Sequence, residues 1–194
     1  MEKSSTAEVK QGDISKRMHD GNSVILEICN KLKLPRPIRA MSQGIFQKCI
    51  NFDVNLRRLC HTCVFLSSKI VEHPISPSLF KSVTKSTIDT ELELKIAEEL
   101  QFEFDILDVY AFVENIAAML KIEGSLPARM GELDSIFSDG RITYFSPFGG
   151  EHELSYLGLS LFTDKQLKIF ETLNCIVIDK QKIKDIRQAA MSVQ

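Results

Sequence analysis

Residues 56–71 constrain the fold most, because apolar side chains recur there at helical spacing and leave almost no polar face before Ser67. The members of this stripe are Leu56, Leu59, Cys60, Cys63, Val64, Phe65, Leu66, Ile70 and Val71. A helix that is apolar on nearly every side has to be covered by other elements on nearly every side. The segment therefore predicts a buried central helix around which neighbouring helices pack.

A second helix is predicted to begin near Asp89. Leu92, Ile96 and Leu100 recur every four residues, and Ala97 lies beside them. Glutamates occupy the other directions, so this helix is amphipathic with one dry face. We expect that face to pack against the central helix.

Three shorter patterns complete a set of five predicted helices in the first half of the chain. One apolar stripe ends before Pro35 and Pro37, and the next begins at Ile38. Ser76 and Pro77 are the preferred N-cap and first-turn residues, so they begin a short helix. The sequence therefore predicts an all-α fold.

The predicted boundaries divide the chain into a tail and two domains. Residues 1–22 are polar and mixed in charge, which predicts a tail or a loosely docked helix. Residues 23–106 hold the five helices, and residues 107–194 form a second, reduced helical domain. We expect fewer than five full helices in this second domain.

Weaker signals place the elements of the second domain. One apolar stripe continues to Gly124, and a Gly-, Ser- and Pro-rich stretch that includes residues 146–150 interrupts the chain. Leu154, Leu157 and Leu161 then resume a helical stripe. Thr163 and Gln166 have the spacing of a capping box, which predicts the start of a further helix. One more helix is predicted between residues 176 and 186.

Composition excludes several classes of protein. The chain has 194 residues, 44% of them hydrophobic, but no apolar run approaches the roughly 18 residues that span a bilayer. The first residues lack the apolar core of a signal peptide. Five dispersed cysteines fit reduced thiols in a cytosolic or nuclear protein better than a disulfide framework.

Charge is uneven along the chain, although the net charge is only −2. Residues 1–60 carry 11 Lys and Arg against 6 Asp and Glu, whereas the remainder carries 13 against 20. This distribution predicts either a basic rim that faces an acidic or phosphorylated partner or scattered solvated charge. The small net charge argues against a general nucleic-acid binder.

No catalytic or cofactor motif is present. Cys60 and Cys63 have the spacing of a redox pair or half a zinc site, but no second Cys or His pair follows at ligand spacing. Both thiols fall inside the apolar stripe, where cysteine acts as a small hydrophobe. The chain also lacks a phosphate-binding Gly loop, kinase signatures and a nucleophile elbow. We expect no enzymatic activity, no metal and no cofactor.

Two segments resemble the third and fifth helices of a cyclin box. They read TCVFLSSKIVE from Thr62 and ELELKIAEELQFEF from Glu91. The resemblance extends to residues 100–102 and 108–110, which read LQF and DVY. It implies a cyclin fold, with a five-helix cyclin box followed by the reduced second domain.

The resemblance also implies a binding surface. In cyclins, a lysine that ends the third helix and a glutamate early in the fifth grip the kinase, and by position these are Lys69 and Glu93. Ile70, Val71 and Glu72 would supply adjacent contacts. On spacing alone, Lys69 and Glu93 merely solvate a surface, where an ion pair is worth roughly 0 to 1 kcal/mol.

One departure from the family pattern affects this surface. Cyclins usually follow the lysine with an apolar residue and two acids, whereas this chain has Ile70, Val71 and Glu72. The replacement of one acid by Val71 implies a shifted or adapted interface. It also keeps open a cyclin-fold scaffold that binds a protein other than a kinase.

Residues 34–48 resemble the start of the second helix in transcription-associated cyclins of types C, H, K, L and T. This implies a nuclear regulatory subunit that binds and activates a cyclin-dependent kinase as a heterodimer. The implied substrate is the repeat tail of RNA polymerase II, and a third assembly subunit is left open. A general transcription factor similar to factor IIB is an alternative. That alternative requires basic surface on both repeats, which the acidic balance after residue 60 disfavours.

Overall fold

A computed structural model of the chain describes residues 5–104, 108–138 and 153–191. Every regular element in these ranges is a helix, which confirms the predicted all-α class. The chain divides into two compact units, residues 1–105 with 138–140 and residues 106–137 with 141–194. Each unit is described by itself below.

The described residues of the first unit form five helices, and two of them, α4 and α5, begin at the residues that the sequence predicted. They are α1 (Ser5–Leu32), α2 (Arg36–Lys48), α3 (Leu56–Ile70), α4 (Pro77–Thr84) and α5 (Thr90–Glu99). The Ser76 hydroxyl accepts the Leu79 N–H at 3.3 Å, and Asp89 accepts the Leu92 N–H at 3.1 Å. Both side chains satisfy amide groups that the first turn of a helix leaves without a partner.

Helix α3 lies at the centre of the first unit. All ten residues from Leu59 to Ser68 are buried. Helices α1, α2 and α5 pack against α3 along its length, and the ring of Phe80 on α4 meets Phe65 at 5.3 Å between centroids. The prediction of a buried central helix is confirmed.

Helix α1 begins earlier than the predicted boundary at residue 22, and its contacts explain the difference. Arg17 donates three hydrogen bonds to backbone carbonyls of the loop between α2 and α3. Met18 is buried, and any side chain at Gly21 would collide with the ring of Phe46. Residues 17–22 therefore pack on the core even though their composition is polar.

The second unit contains five helices among the described residues, where the sequence predicted fewer. They are α6 (Val109–Met119), α7 (Leu126–Ser138), α8 (Glu153–Ser160), α9 (Asp164–Asn174) and α10 (Lys180–Met191). The unpredicted helix is α7, which contains Gly131 but buries Met130, Leu133, Ile136 and Phe137. Tertiary burial of this face compensates for its weak local pattern.

Two arginines join the loops of the second unit to its helices. The guanidinium of Arg129 stacks 4.2 Å from the centroid of Phe162 and donates to the carbonyl of Leu161. Arg187 donates to the carbonyl of Ser160 at 3.0 Å and to Asp164 at 2.8 Å. These bonds satisfy carbonyls between α8 and α9 that no helix pairs.

The predicted capping box is confirmed, because Thr163 accepts the Gln166 N–H and Gln166 accepts the Thr163 N–H. The stretch at residues 146–150 lies outside the described residues. Within the described ranges, no helix has the length and apolar character needed to cross a membrane.

Candidate functional site

Lys69 and Glu93 meet at the surface of the first unit. Lys69 lies in the last turn of α3 and Glu93 in the first turn of α5, and the ammonium donates to Glu93 Oε1. The lysine side chain is 46% exposed, whereas that of the glutamate is 14% exposed. The structure therefore brings together the two residues that sequence analysis singled out, with one charge open to solvent and one largely covered.

An aromatic ring fixes the position of the lysine. Lys69 Nζ lies 4.7 Å from the centroid of the Phe65 ring, one turn earlier on α3. A cation over an aromatic face gains roughly 0.5 to 1 kcal/mol at an exposed site. Phe65 itself packs edge-to-face against Phe80 of α4. The ammonium is thus held by two partners and still presents part of its surface outward.

The three residues that follow Lys69 end the helix. Ile70 and Val71 are half-buried, and Glu72 is exposed. Glu72 has a φ of 54°, the left-handed conformation that commonly terminates a helix. The backbone therefore turns away from the axis of α3 at Glu72, the last of the residues predicted to contact the partner.

An open cleft of the first unit includes the Phe65 ring in its lining but neither Lys69 nor Glu93. It has a volume of about 880 Å³ and is lined by one face of α3 and by residues 84–91, and we call it the α3 cleft. Phe65 and Phe80 form its apolar part, and hydroxyl side chains of the segment 84–91 form much of its polar part. The volume falls in the range of ligand-binding pockets.

Acidic groups on the wall of the α3 cleft are neutralised by neighbours. Arg58 donates to Asp89, and this hydrogen bond lowers the pKa of that carboxyl. Lys95 donates to Glu91 at 2.9 Å and lowers its pKa in the same way. Both carboxyls stay ionised and paired at neutral pH.

His61 lines the same cleft from α3. Only 7% of the residue is exposed, and its Nδ1 has no hydrogen-bond partner among the described residues. Burial lowers the pKa of the imidazole, and the positive charge of Arg57 lowers it further. The ring is therefore neutral at pH 7, with one buried nitrogen left unpaired.

The Cys60 and Cys63 thiols are both fully buried, as the apolar stripe predicted. Burial raises the pKa of Cys60 to about 12 and that of Cys63 also well above its usual value. A nucleophilic or metal-binding thiol needs the opposite shift. Among the described residues, no group of three His, Cys, Asp or Glu could hold a metal ion.

Sequence analysis missed two parts of this site. Arg58 and His61 fall on α3 among residues that the pattern treated only as core or flank. Arg58, His61 and Phe65 are three and four residues apart, so their spacing alone could have predicted that they share one face of α3. The contribution of residues 84–91 could not be predicted from the sequence, because only tertiary packing places that segment opposite α3.

No protein-family model matches this chain, and no curated protein sequence matches it. The resemblance to cyclins therefore rests on the sequence segments quoted above.

Proposed function

We propose that this protein is a cyclin-like regulatory subunit, with its first unit folded as a cyclin box that binds a cyclin-dependent kinase. The observation that carries the proposal is the pairing of Lys69 at the end of a buried central helix with Glu93 at the start of another. Five helices, four of them packed around the central one, are what the resemblance implies for this half of the chain.

The mechanism is a shift in the kinase population rather than chemistry on this chain. A subunit that binds the active kinase conformation more tightly than the inactive one raises the active fraction by its differential affinity. Lys69 and Glu93 would hydrogen-bond to the kinase backbone, and Ile70, Val71 and Glu72 would complete the contact. The partner would be a nuclear kinase that acts on the RNA polymerase II tail, with or without a third assembly subunit.

The geometry suits a contact of this kind. The aromatic ring of Phe65 and the carboxylate of Glu93 restrain Lys69 before any partner binds. A pre-positioned charge loses less side-chain entropy on binding than a free lysine does.

A charge-reversal series tests the proposal. The wild-type protein is expected to retain a cyclin-dependent kinase from nuclear extract, with activity on a polymerase-tail peptide. Lys69→Glu is expected to lose that kinase but to stay folded with a modestly lowered thermal transition, because Lys69 is 46% exposed and a solvent-screened ion pair contributes roughly 1 kcal/mol or less. The swap Lys69→Glu with Glu93→Lys restores the internal pair but not the kinase.

Lys95→Glu is the control, because it reverses another exposed lysine of the first unit and breaks its ion pair with Glu91 on α5. It is expected to retain the kinase. Retention of the kinase by Lys69→Glu, or loss of folding in that variant, would remove the interface. Absence of any kinase from the wild-type sample would favour the scaffold alternative, which the replacement of an acid by Val71 supports.

A further inference from the structure

The cationic side chains that line the α3 cleft are only partly neutralised by carboxylates of the fold. Of its acidic lining residues, Asp89 is paired with Arg58 and Glu91 with Lys95. Lys85 has no side-chain partner among the described residues. Arg57 Nη2 lies 3.9 Å from Glu27, beyond hydrogen-bond distance.

Arg57 and Glu27 form a long ion pair, and Glu27 neutralises Arg57 only in part because its carboxylate is also bound to Lys31 at 2.5 Å. The cleft therefore presents Arg57, which is held only by this long and shared ion pair, and Lys85, which has no partner among the described residues, while both of its lining carboxylates are paired. A site with this balance attracts a negatively charged ligand.

Neutral donors complete the polar wall. Ser86 and Thr87 line the cleft, and their hydroxyls make no hydrogen bond within the part of the chain that the structure describes. The Thr84 hydroxyl accepts the Ser86 N–H at 3.2 Å and donates to the Phe80 carbonyl at 2.8 Å. These bonds hold the backbone of the loop in place while the two hydroxyls stay free.

His61 is a second, independent sign of a ligand. A buried polar atom without a partner costs roughly 1 to 3 kcal/mol. The Nδ1 atom is such an atom, on a ring that lines the cleft and lies edge-on to Phe80 at 6.1 Å. A bound molecule would relieve this cost if its binding moved the groups that cover Nδ1 and supplied a hydrogen-bond partner, directly or through water.

We propose that the α3 cleft binds a phosphorylated peptide segment. A phosphate carries about −1.5 to −2 charges and three acceptor oxygens, which match two cations and two hydroxyl donors better than one carboxylate does. The rings of Phe65 and Phe80 would receive an adjoining apolar side chain of the peptide. The site is separate from Lys69 and Glu93, and this proposal stands whether or not the partner is a kinase.

The test compares three pools of short peptides with random flanks and a central phosphothreonine, threonine or glutamate. Binding to the ¹⁵N-labelled full chain is followed by NMR. The phosphothreonine pool is expected to shift the His61 imidazole and the Ser86 and Thr87 amides. The other pools shift them less at the same concentration, and equal shifts from all three pools would overturn the proposal.

A double substitution, Arg57→Gln with Lys85→Gln, is expected to weaken phosphopeptide binding by at least about tenfold. Lys81→Gln is the matched control, since it removes a charge one turn before Lys85 without touching the cleft lining. Both substituted residues of the double variant are exposed, so its thermal transition should match that of wild type. Unchanged affinity in the double variant would overturn the proposal.

Lys69→Glu separates the two proposals. It is expected to bind the phosphothreonine pool as the wild type does, even where kinase binding is lost.

Discussion

Burial keeps the imidazole of His61 neutral in the folded protein, and this ties its protonation to folding. The pKa of the group is lowered in the folded state from an ordinary value of 6.5. Below that value the unfolded chain binds a proton that the folded chain does not. The free energy of unfolding therefore falls as pH drops below about 6.5, until the folded-state pKa is reached.

We expect native-state hydrogen exchange at α3 amides to show this loss of stability between pH 7 and pH 5.5. His61→Phe should reduce the loss, because the pKa difference disappears with the imidazole. His73→Phe is the control, since His73 is exposed, and it should keep the wild-type pH dependence. A wild-type pH dependence in His61→Phe would show that other groups carry the effect.

At the scale of single residues, sequence analysis was informative where a residue belongs to a repeating pattern. The resemblance singled out Lys69 and Glu93, the stripes of their helices place both at the edge of the core, and the structure joins them. His61 differs, because its unpaired nitrogen depends on what the fold places around it. The spacing of residues predicts which face of a helix a side chain occupies, but it does not predict which atoms of other elements pack against that side chain.

Helix α1 shows how one side chain fixes the position of an element. Arg17 donates to the carbonyls of Ile50, Phe52 and Val54 at 2.9, 3.0 and 3.1 Å. These carbonyls lie in the loop that leads into α3, where helical pairing cannot reach them. The guanidinium thereby anchors the first helix to the start of the central one.

Arg17→Met should lower the stability of the first unit by about 2 kcal/mol, since a hydrogen bond to a charged group contributes roughly 1.5 to 3 kcal/mol. Hydrogen exchange at α3 amides would measure the change. The neighbouring exposed residue provides the control, and Lys16→Met should change stability by less than about 0.5 kcal/mol. Equal effects of the two substitutions would mean that Arg17 is not an anchor.

At the scale of elements, strong periodicity and capping residues predicted the helices of the first unit. The start of α1 was not predictable, because its polar residues pack on the core through Arg17 and Gly21 rather than through an apolar stripe. Helix α7 was missed for a related reason. Its buried face is short, and Gly131 weakens the local signal.

At the scale of the whole molecule, the five cysteines are divided unequally between the units. Cys29, Cys49, Cys60 and Cys63 are buried in the first unit, and Cys175 is exposed in the second. Burial raises the pKa of Cys29 and Cys49 to about 12, so few of these thiols ionise at neutral pH. Alkylation requires the thiolate and access to solvent.

A maleimide reagent should therefore modify one thiol rapidly in the native protein, and mass spectrometry should locate it at Cys175. The other four should react only as fast as the first unit opens. Rapid modification of two or more thiols would contradict the described core. Because all four slow thiols belong to the first unit, their labelling rate measures how often that unit alone opens. The fast labelling of Cys175 in the same sample reports the reactivity of an exposed thiol.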